Sequence, residues 1–313
     1  MSPEVHIFAP ATVANVACGF DSLGFAMQRP GDEVVARFSK KHSGLVITSI
    51  DGDEGKLSKE IDSNTAGVAA KALMDHLGVD RGIDMIIHKG LPIGSGLGSS
   101  AASAVGGAMA VNELLGRPLS KKELLPFALK GEALASGGAI HADNVGPCLL
   151  GGIELIRSNE TLDTVNIPPP DFLYAAVVLP NISILTKDAR AVMRPEIPMH
   201  DAVTQWGNLG AMIAGLLKQD YELIGRSLVD VIAEPYRAGL IPGFYQVKQA
   251  AMESGALGCS ISGAGPAIFA LCKGDEAAFR AGAASNTKVF ISQGIGCERF
   301  ISTINTESAV RLK

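Results

Sequence analysis

The stretch Leu91-Pro92-Ile93-Gly94-Ser95-Gly96-Leu97-Gly98-Ser99-Ser100-Ala101-Ala102 constrains this chain more than any other. Before it, the alternation in Ile83–His88 predicts a strand; after it, Ala101, Val105, Ala108 and Leu115 recur at helical spacing. A glycine-rich loop in that position lets backbone N–H groups approach an anion closely, and the helix that follows adds the positive end of its dipole. Ser99 can add a hydroxyl to phosphate or to Mg²⁺. No Gly-Lys-Ser/Thr follows, so this is not a Walker A loop, and its G-x-G-x-G spacing misses the dinucleotide G-x-G-x-x-G. The pattern favours ATP over NAD, while a Gly/Ser turn that merely packs a helix tightly on a sheet would look the same.

At 313 residues the chain has the length of about two domains. Pro168-Pro169-Pro170 can neither continue a helix nor sit in a central strand, and we place the boundary there, giving units 1–167 and 168–313. In the first, Val5–Phe8, Glu33–Phe38 and Leu45–Ile50 predict strands, and Thr65–Leu77 predicts a helix with Asn64 as N-cap. Ser120 and Glu123 form a capping box opening another helix, and Leu149–Ile156 predicts a closing strand. The second unit reads as a strand (Leu173–Leu179), helices near 202–218, 220–232 and 243–254, then strand, helix and strand. The fold class is mixed α+β.

Gly90–Asn112 runs for 23 residues without a charge, long enough to span a bilayer, yet six of them are Gly, four Ser and one Pro. It lacks the Leu, Ile and Phe density that favours insertion, so no membrane span is expected. With 47% hydrophobic and 19% charged residues the chain lies outside the disordered regime. Its 27 Lys+Arg against 32 Asp+Glu leave a net charge of −5, which excludes the basic excess of a nucleic-acid binder. Cys18, Cys148, Cys259, Cys272 and Cys297 show no metal-ligand spacing and read as small apolar groups in a reducing compartment. Glu4 and His6 interrupt any secretion signal, so a cytoplasmic location is expected.

The loop Leu91–Ala102 also resembles the signature of the galactokinase, homoserine kinase, mevalonate kinase and phosphomevalonate kinase (GHMP) superfamily. Two further segments are similar to its motifs in the right order: Pro10-Ala11-Thr12-Val13-Ala14-Asn15-Val16-Ala17-Cys18-Gly19-Phe20-Asp21, and Gly258-Cys259-Ser260-Ile261-Ser262-Gly263-Ala264-Gly265-Pro266. Within the superfamily the likeness is nearest to the homoserine kinases. Asn15 to Asp21, Ile140-His141-Ala142-Asp143-Asn144-Val145, Leu185-Thr186-Lys187-Asp188-Ala189-Arg190 and Glu234-Pro235-Tyr236-Arg237 carry it. The resemblance implies a two-domain GHMP kinase fold. In it an N-terminal domain like ribosomal protein S5 domain 2 packs on a ferredoxin-like C-terminal domain, with the site in the cleft between them. It implies an ATP-dependent phosphotransferase with an alcohol acceptor, converting L-homoserine to O-phospho-L-homoserine for threonine biosynthesis, with Mg²⁺ and as a homodimer.

The same resemblance implies roles for individual residues. Asp21 takes the acceptor ammonium, Arg190 and Arg237 its carboxylate, and Asn144 orients its hydroxyl; Asn15, His141 and Thr186 lie nearby. Arginine suits the carboxylate because its planar fork matches two oxygens. Ser99 and Glu132 hold Mg²⁺, a hard cation that prefers oxygen ligands. Asn64 lies near the adenine, Lys89 helps neutralise phosphates, and the loop from Pro92 and Ile93 through Gly94, Ser95, Gly96, Leu97, Gly98, Ser99, Ser100, Ala101 and Ala102 cradles them. Gly263 and Gly265 form a second close-approach turn. Asp143, beside Asn144, is either a catalytic base or structural. Taken singly, each has a plainer reading: Arg190, Arg237 and Lys89 as solvated charges, Asp21 as a turn residue, His141 as a satisfied core group.

Three rivals are weighed against this reading. A sister kinase acting on mevalonate would share the loop but has no ammonium for Asp21. A catalytically inactive metabolite-binding protein on the same scaffold would have little use for Ser99, Glu132 and Asn144 together. A nicotinamide oxidoreductase fails on the loop spacing.

Overall fold

The computed structural model describes residues 4–137, 141–285 and 289–313, which build two sheets. The first half runs β1 (Glu4–Ala14), β2 (Leu23–Phe38), β3 (Leu45–Asp51), α1 (Thr65–Leu77), β4 (Ile83–His88), α2 (Ser99–Leu114), α3 (Lys121–Ala135), α4 (Ala142–Leu150), β5 (Ile153–Ser158) and β6 (Asp163–Ile167). The second runs β7 (Leu173–Pro180), α5 (Thr186–Ala191), α6 (Met199–Lys218), α7 (Tyr221–Ser227), α8 (Glu234–Arg237), α9 (Phe244–Glu253), β8 (Gly258–Ile261), β9 (Ile268–Lys273), α10 (Asp275–Ser285), β10 (Cys297–Thr303) and β11 (Val310–Arg311).

β2 organises the larger sheet. One edge pairs with β1 along its length, while the other pairs first with β5 through Leu23–Phe25 and then with β4 through Glu33–Phe38. The order is β11-β1-β2-β4-β3, with β6 beyond β5, and only β3 and β4 are parallel. α2 lies between this sheet and α1, buried on nearly every side, which is why its sequence is small residues rather than an amphipathic stripe. A Cβ at Gly107 would sit 2.4 Å from the Ala66 carbonyl oxygen.

The smaller sheet has the order β10-β7-β9-β8, antiparallel throughout. Successive side chains of β7 alternate between two cores: Ala175, Val177 and Leu179 join the large cluster with β1 and β2, and Ala176 and Val178 pack with α9 and α10. Phe25 of β2 meets Phe269 of β9 edge to face, with ring centroids 6.2 Å apart. After β10 the chain returns to the first sheet. There Asn305 donates its amide to Ala26, and β11 pairs with β1.

The predicted strand Leu149–Ile156 divides differently. Leu149 and Leu150 close α4, and Gly151 and Gly152, both at positive φ, turn the chain before β5 begins at Ile153. The predicted helix 220–232 stops at Ser227, because Asp230 leaves the helical path to accept the amides of Ile232, Ala233 and Glu234 and so start α8. Two of the predicted caps form: the Asn64 side chain accepts from Ala66 and Gly67, and Ser120 and Glu123 make the reciprocal capping box. Four cysteines are buried free thiols and Cys297 is half-buried. Among the described residues no helix is long and apolar enough to cross a membrane.

Candidate active site

A cleft of about 450 Å³ opens where the two sheets meet, walled by β1's following turn, the loop 91–98, the ends of α3 and α4, α5, Arg237 and the turn Gly263–Gly265. The loop is held by its carbonyls. Gly94, Ser95, Gly96 and Leu97 accept in turn from the Ile184 amide (3.3 Å), the Ala267 amide (3.1 Å), the Ser262 hydroxyl (2.6 Å) and the Thr12 amide (3.1 Å). Among the described residues nothing accepts the amides of Gly96, Gly98, Ser99 or Ser100, and α2 has no side-chain cap. Carbonyls tied outward and free amides at a helix start form an anion cradle. Gly96 and Gly98 adopt φ of +77° and +68°; a Cβ on Gly96 would lie 2.7 Å from the carbonyl oxygens of Ser262 and Gly265, and one on Gly98 2.1 Å from the Thr12 hydroxyl. These glycines therefore serve the docking of three segments as much as the approach of a phosphate.

Beneath the cradle, Lys89 and Asp32 form a buried ion pair. Lys89 also donates to the Ser103 hydroxyl (2.8 Å) and the Ser99 carbonyl (3.0 Å), and Asp32 accepts the Ser103 hydroxyl and the amides of Gly90 and Leu91. All three ammonium protons of Lys89 are thus engaged, and its charge is matched within the protein. It anchors both ends of the loop.

Glu132 on α3 and Asp143 on α4 are buried acids, each with one oxygen, Oε2 and Oδ1, that has no hydrogen-bond partner among the described residues. Desolvation pushes both carboxyls up to about 7; the Asp143 charge adds to the effect on Glu132, and Asp21 adds to the effect on Asp143. Glu132 takes a hydrogen bond from Ser100, whereas the Ser99 hydroxyl donates to the Leu91 carbonyl at 3.0 Å. Beside Asp143, the Asn144 Oδ1 accepts from the Thr12 hydroxyl at 2.8 Å, which leaves the Asn144 NH₂ as the group free to face the cleft.

The remaining wall is charged. Arg190 binds Asp21 with both arms of its guanidinium and lies 3.2 Å from the His141 Nε2. Burial holds His141 below the usual histidine range, against the opposing pull of Asp21. Arg237, 4% exposed, donates to the carbonyls of Ala189 (3.2 Å) and Gly263 (2.9 Å). Its helix is set by Asp230 at the start and by Glu234, which accepts from Lys248 and Ser260. Asn15 lies at φ +67° in a left-handed turn with Val16 and Ala17, its side chain bridging the Gly263 carbonyl and the Asp21 amide.

Residues 64–152 match the GHMP kinases N terminal domain, and residues 212–289 match the GHMP kinases C terminal family. A homoserine kinase of Chlorobium phaeobacteroides is 52% identical over 90% of each chain. The crystal structure of homoserine kinase from Cytophaga hutchinsonii superposes with a TM-score of 0.97 at 51% identity, covering 100% of this chain and 98% of that one. The chain belongs to the homoserine kinase family. L. major mevalonate kinase, solved with R-mevalonate, shares the fold at a TM-score of 0.72 and 19% identity.

In this homoserine kinase family member the cleft gathers Asn15, Asp21, Lys89, Ile93, Gly94, Ser95, Gly96, Gly98, Ser99, Ser100, Glu132, His141, Asp143, Asn144, Thr186, Arg190, Arg237, Gly263 and Gly265. Leu97, Ala101 and Ala102 are buried behind the cleft wall, and Pro92 is exposed outside it. Asn64, expected near the adenine, is buried with its amide engaged as the cap of α1 and on the Ser58 carbonyl; its neighbour Thr65 lines the cleft instead. Ile140 lies outside the described residues. Thr12, Phe20, Ser103 and Lys187 were not singled out by sequence; Thr12 and Phe20 carried a signal as members of the first motif and Lys187 as a member of the segment Leu185–Arg190, whereas Ser103 carried none.

Proposed function

We propose that the chain transfers the γ-phosphoryl group of ATP to the side-chain hydroxyl of L-homoserine, giving O-phospho-L-homoserine on the route to threonine. One observation carries the acceptor: a carboxylate, Asp21, and two guanidinium groups, Arg190 and Arg237, stand together on the wall next to the anion cradle. That set suits a zwitterion and leaves Asp21 without a partner on mevalonate. The amides of Gly96, Gly98, Ser99 and Ser100 take the phosphates, and Leu57, Thr65, Leu134 and Ala135 offer the mixed wall for the adenine. Turnover with Mg-ATP across homoserine, mevalonate, galactose and shikimate tests the reading. Homoserine should be consumed far faster, and better turnover of mevalonate would overturn it.

The donor set fits Mg²⁺, since buried carboxylate oxygens without partners beside serine hydroxyls are what a hard cation seeks. Glu132, with Ser99 and Ser100, would hold it, and it would supply neutralisation of phosphate charge. The chain's own residues do the positioning. With Thr12 fixing Oδ1, the Asn144 NH₂ donates to the acceptor hydroxyl oxygen and leaves the hydroxyl proton directed at the phosphate, as a loose transition state allows.

Residues 1–167 act in this reading as the nucleotide-binding unit and 168–313 as the second unit, with the last residues rejoining the first sheet. A homodimer is supported by α6, where Met199, Val203 and Trp206 are exposed at helical spacing and 202–217 carry no charge. Sedimentation of wild type and Trp206→Glu tests it, a monomeric wild type being the adverse result. The reduced cysteines support a cytoplasmic location.

A further inference from the structure

Phe20 stands one residue before Asp21, half-buried, and no role has fallen to it so far. The guanidinium carbons of Arg190 and Arg237 each lie 5.2 Å over its ring, within cation–π range. Two like charges at one small site oppose each other, and Arg237 is nearly dry as well. Arg237 has two carbonyls to steady it. Among the described residues the polar partners of the Arg190 guanidinium are Asp21 and His141, and an acceptor ammonium arriving at Asp21 would compete for that anchor. A π face attracts a guanidinium whatever its other partners are. The backbone that carries the ring is held, because the amides of Gly19 and Asp21 on either side of it both bond back to Asn15, one to its carbonyl at 2.8 Å and the other to its side chain at 3.0 Å.

We propose that Phe20 is a positioning residue, the aromatic platform that holds Arg190 and Arg237 as a pair aimed at one carboxylate while Arg190 exchanges Asp21 for the acceptor. The inference rests on reading this wall as an amino-acid acceptor site. It makes selectivity for the carboxylate depend on a side chain that never touches it.

Phe20→Leu keeps an apolar side chain and removes the π face. The KM for L-homoserine should rise about tenfold while that for ATP stays within about twofold, and Phe20→Tyr and Phe20→Trp should recover most of the loss. An unchanged homoserine KM in Phe20→Leu overturns the proposal. So does a rise that neither aromatic variant reverses, which would mark simple packing. The arginine Nε–H resonances test the platform whatever the acceptor: two of them should show ring-current shifts in wild type that vanish in Phe20→Leu, and their absence sinks it. Wild-type turnover of homoserine, measured in parallel, tests the acceptor reading separately.

Discussion

Arg190 closes on Asp21 with Nη1 3.0 Å from Oδ2 and Nη2 3.2 and 3.1 Å from Oδ1 and Oδ2, so the side chains assigned to opposite ends of a zwitterion hold one another. A ligand carrying both charges can replace both halves of this pair. A ligand with one charge must strand the other half in a partly dry cleft, which is costly.

Arg190→Lys keeps the charge and loses the planar fork. We expect the homoserine KM to rise about ten- to a hundredfold, with the KM for ATP little changed. Inhibition by 4-hydroxybutyrate, which lacks the ammonium, should be weak in wild type. Strong competition by that compound would show that the pair does not select for two charges.

Lys89 makes a different claim. With its three protons engaged by Asp32, Ser103 and the Ser99 carbonyl, its loss should be felt before any nucleotide binds. Lys89→Met leaves Asp32 buried and unpaired, so urea unfolding should show a loss of about 3–5 kcal/mol. The ATP KM should rise as the cradle loosens. Unaltered stability with weakened ATP binding would instead make Lys89 a phosphate contact.

How much of this was legible follows from how local each determinant is. Asn64 and the Ser120-Glu123 box are short-range caps, and the structure forms both. The run through Leu149 and Ile156 is apolar without a clear period, and only the two glycines inside it separate helix from strand. α5 and α8 are too short for periodicity: α8 is started by local side-chain bonds from Asp230, and α5 is tied to it by the Arg237 bond to the Ala189 carbonyl, 48 residues away. Asp32 lies 57 residues from Lys89, so their pairing has no sequence signature, and neither does the meeting of Phe20 with two arginines. Motif glycines were legible as glycines, whereas the clash that a Cβ on Gly96 would make with the Ser262 and Gly265 carbonyls needed the fold.

The buried acids give the protein a pH dependence. Burial raises Glu132 and Asp143 from the ordinary carboxylate range to about 7. A group raised on folding stabilises fully below its unfolded value and yields that stability as the pH climbs through the folded one. The thermal midpoint without nucleotide should therefore decline as the pH rises from about 4 to about 7, the interval between the unfolded and folded values. Glu132→Gln should flatten the decline, as scanning calorimetry would show. An equal slope in that variant would place the titrating group elsewhere.

Asn144 and Asp143 are neighbours on α4, and only one of them can carry the hydroxyl chemistry. Asp143 would be well tuned as a base, with its carboxyl near 7, where proton transfer is efficient. Its surroundings argue otherwise: it is 2% exposed and is held by the Asn15 backbone amide and its own, while the charges that act with it include Asp21, Arg190, Arg237 and Glu132. Asn144, fixed by Thr12, presents a donor to the cleft and cannot take a proton. On the proposed reading the hydroxyl proton would pass to the phosphate as the loose transition state develops. A positioned base contributes about 10²–10⁴-fold, so the alternatives are far apart. Asn144→Leu should nearly abolish turnover with ATP still bound, because the hydroxyl loses its orientation. Asp143→Asn, where folded, should lose only about tenfold over a pH of about 6 to 9, without a new acid limb in kcat. A loss of several thousandfold in a well-folded Asp143→Asn protein would make Asp143 the base and reduce Asn144 to its neighbour's support.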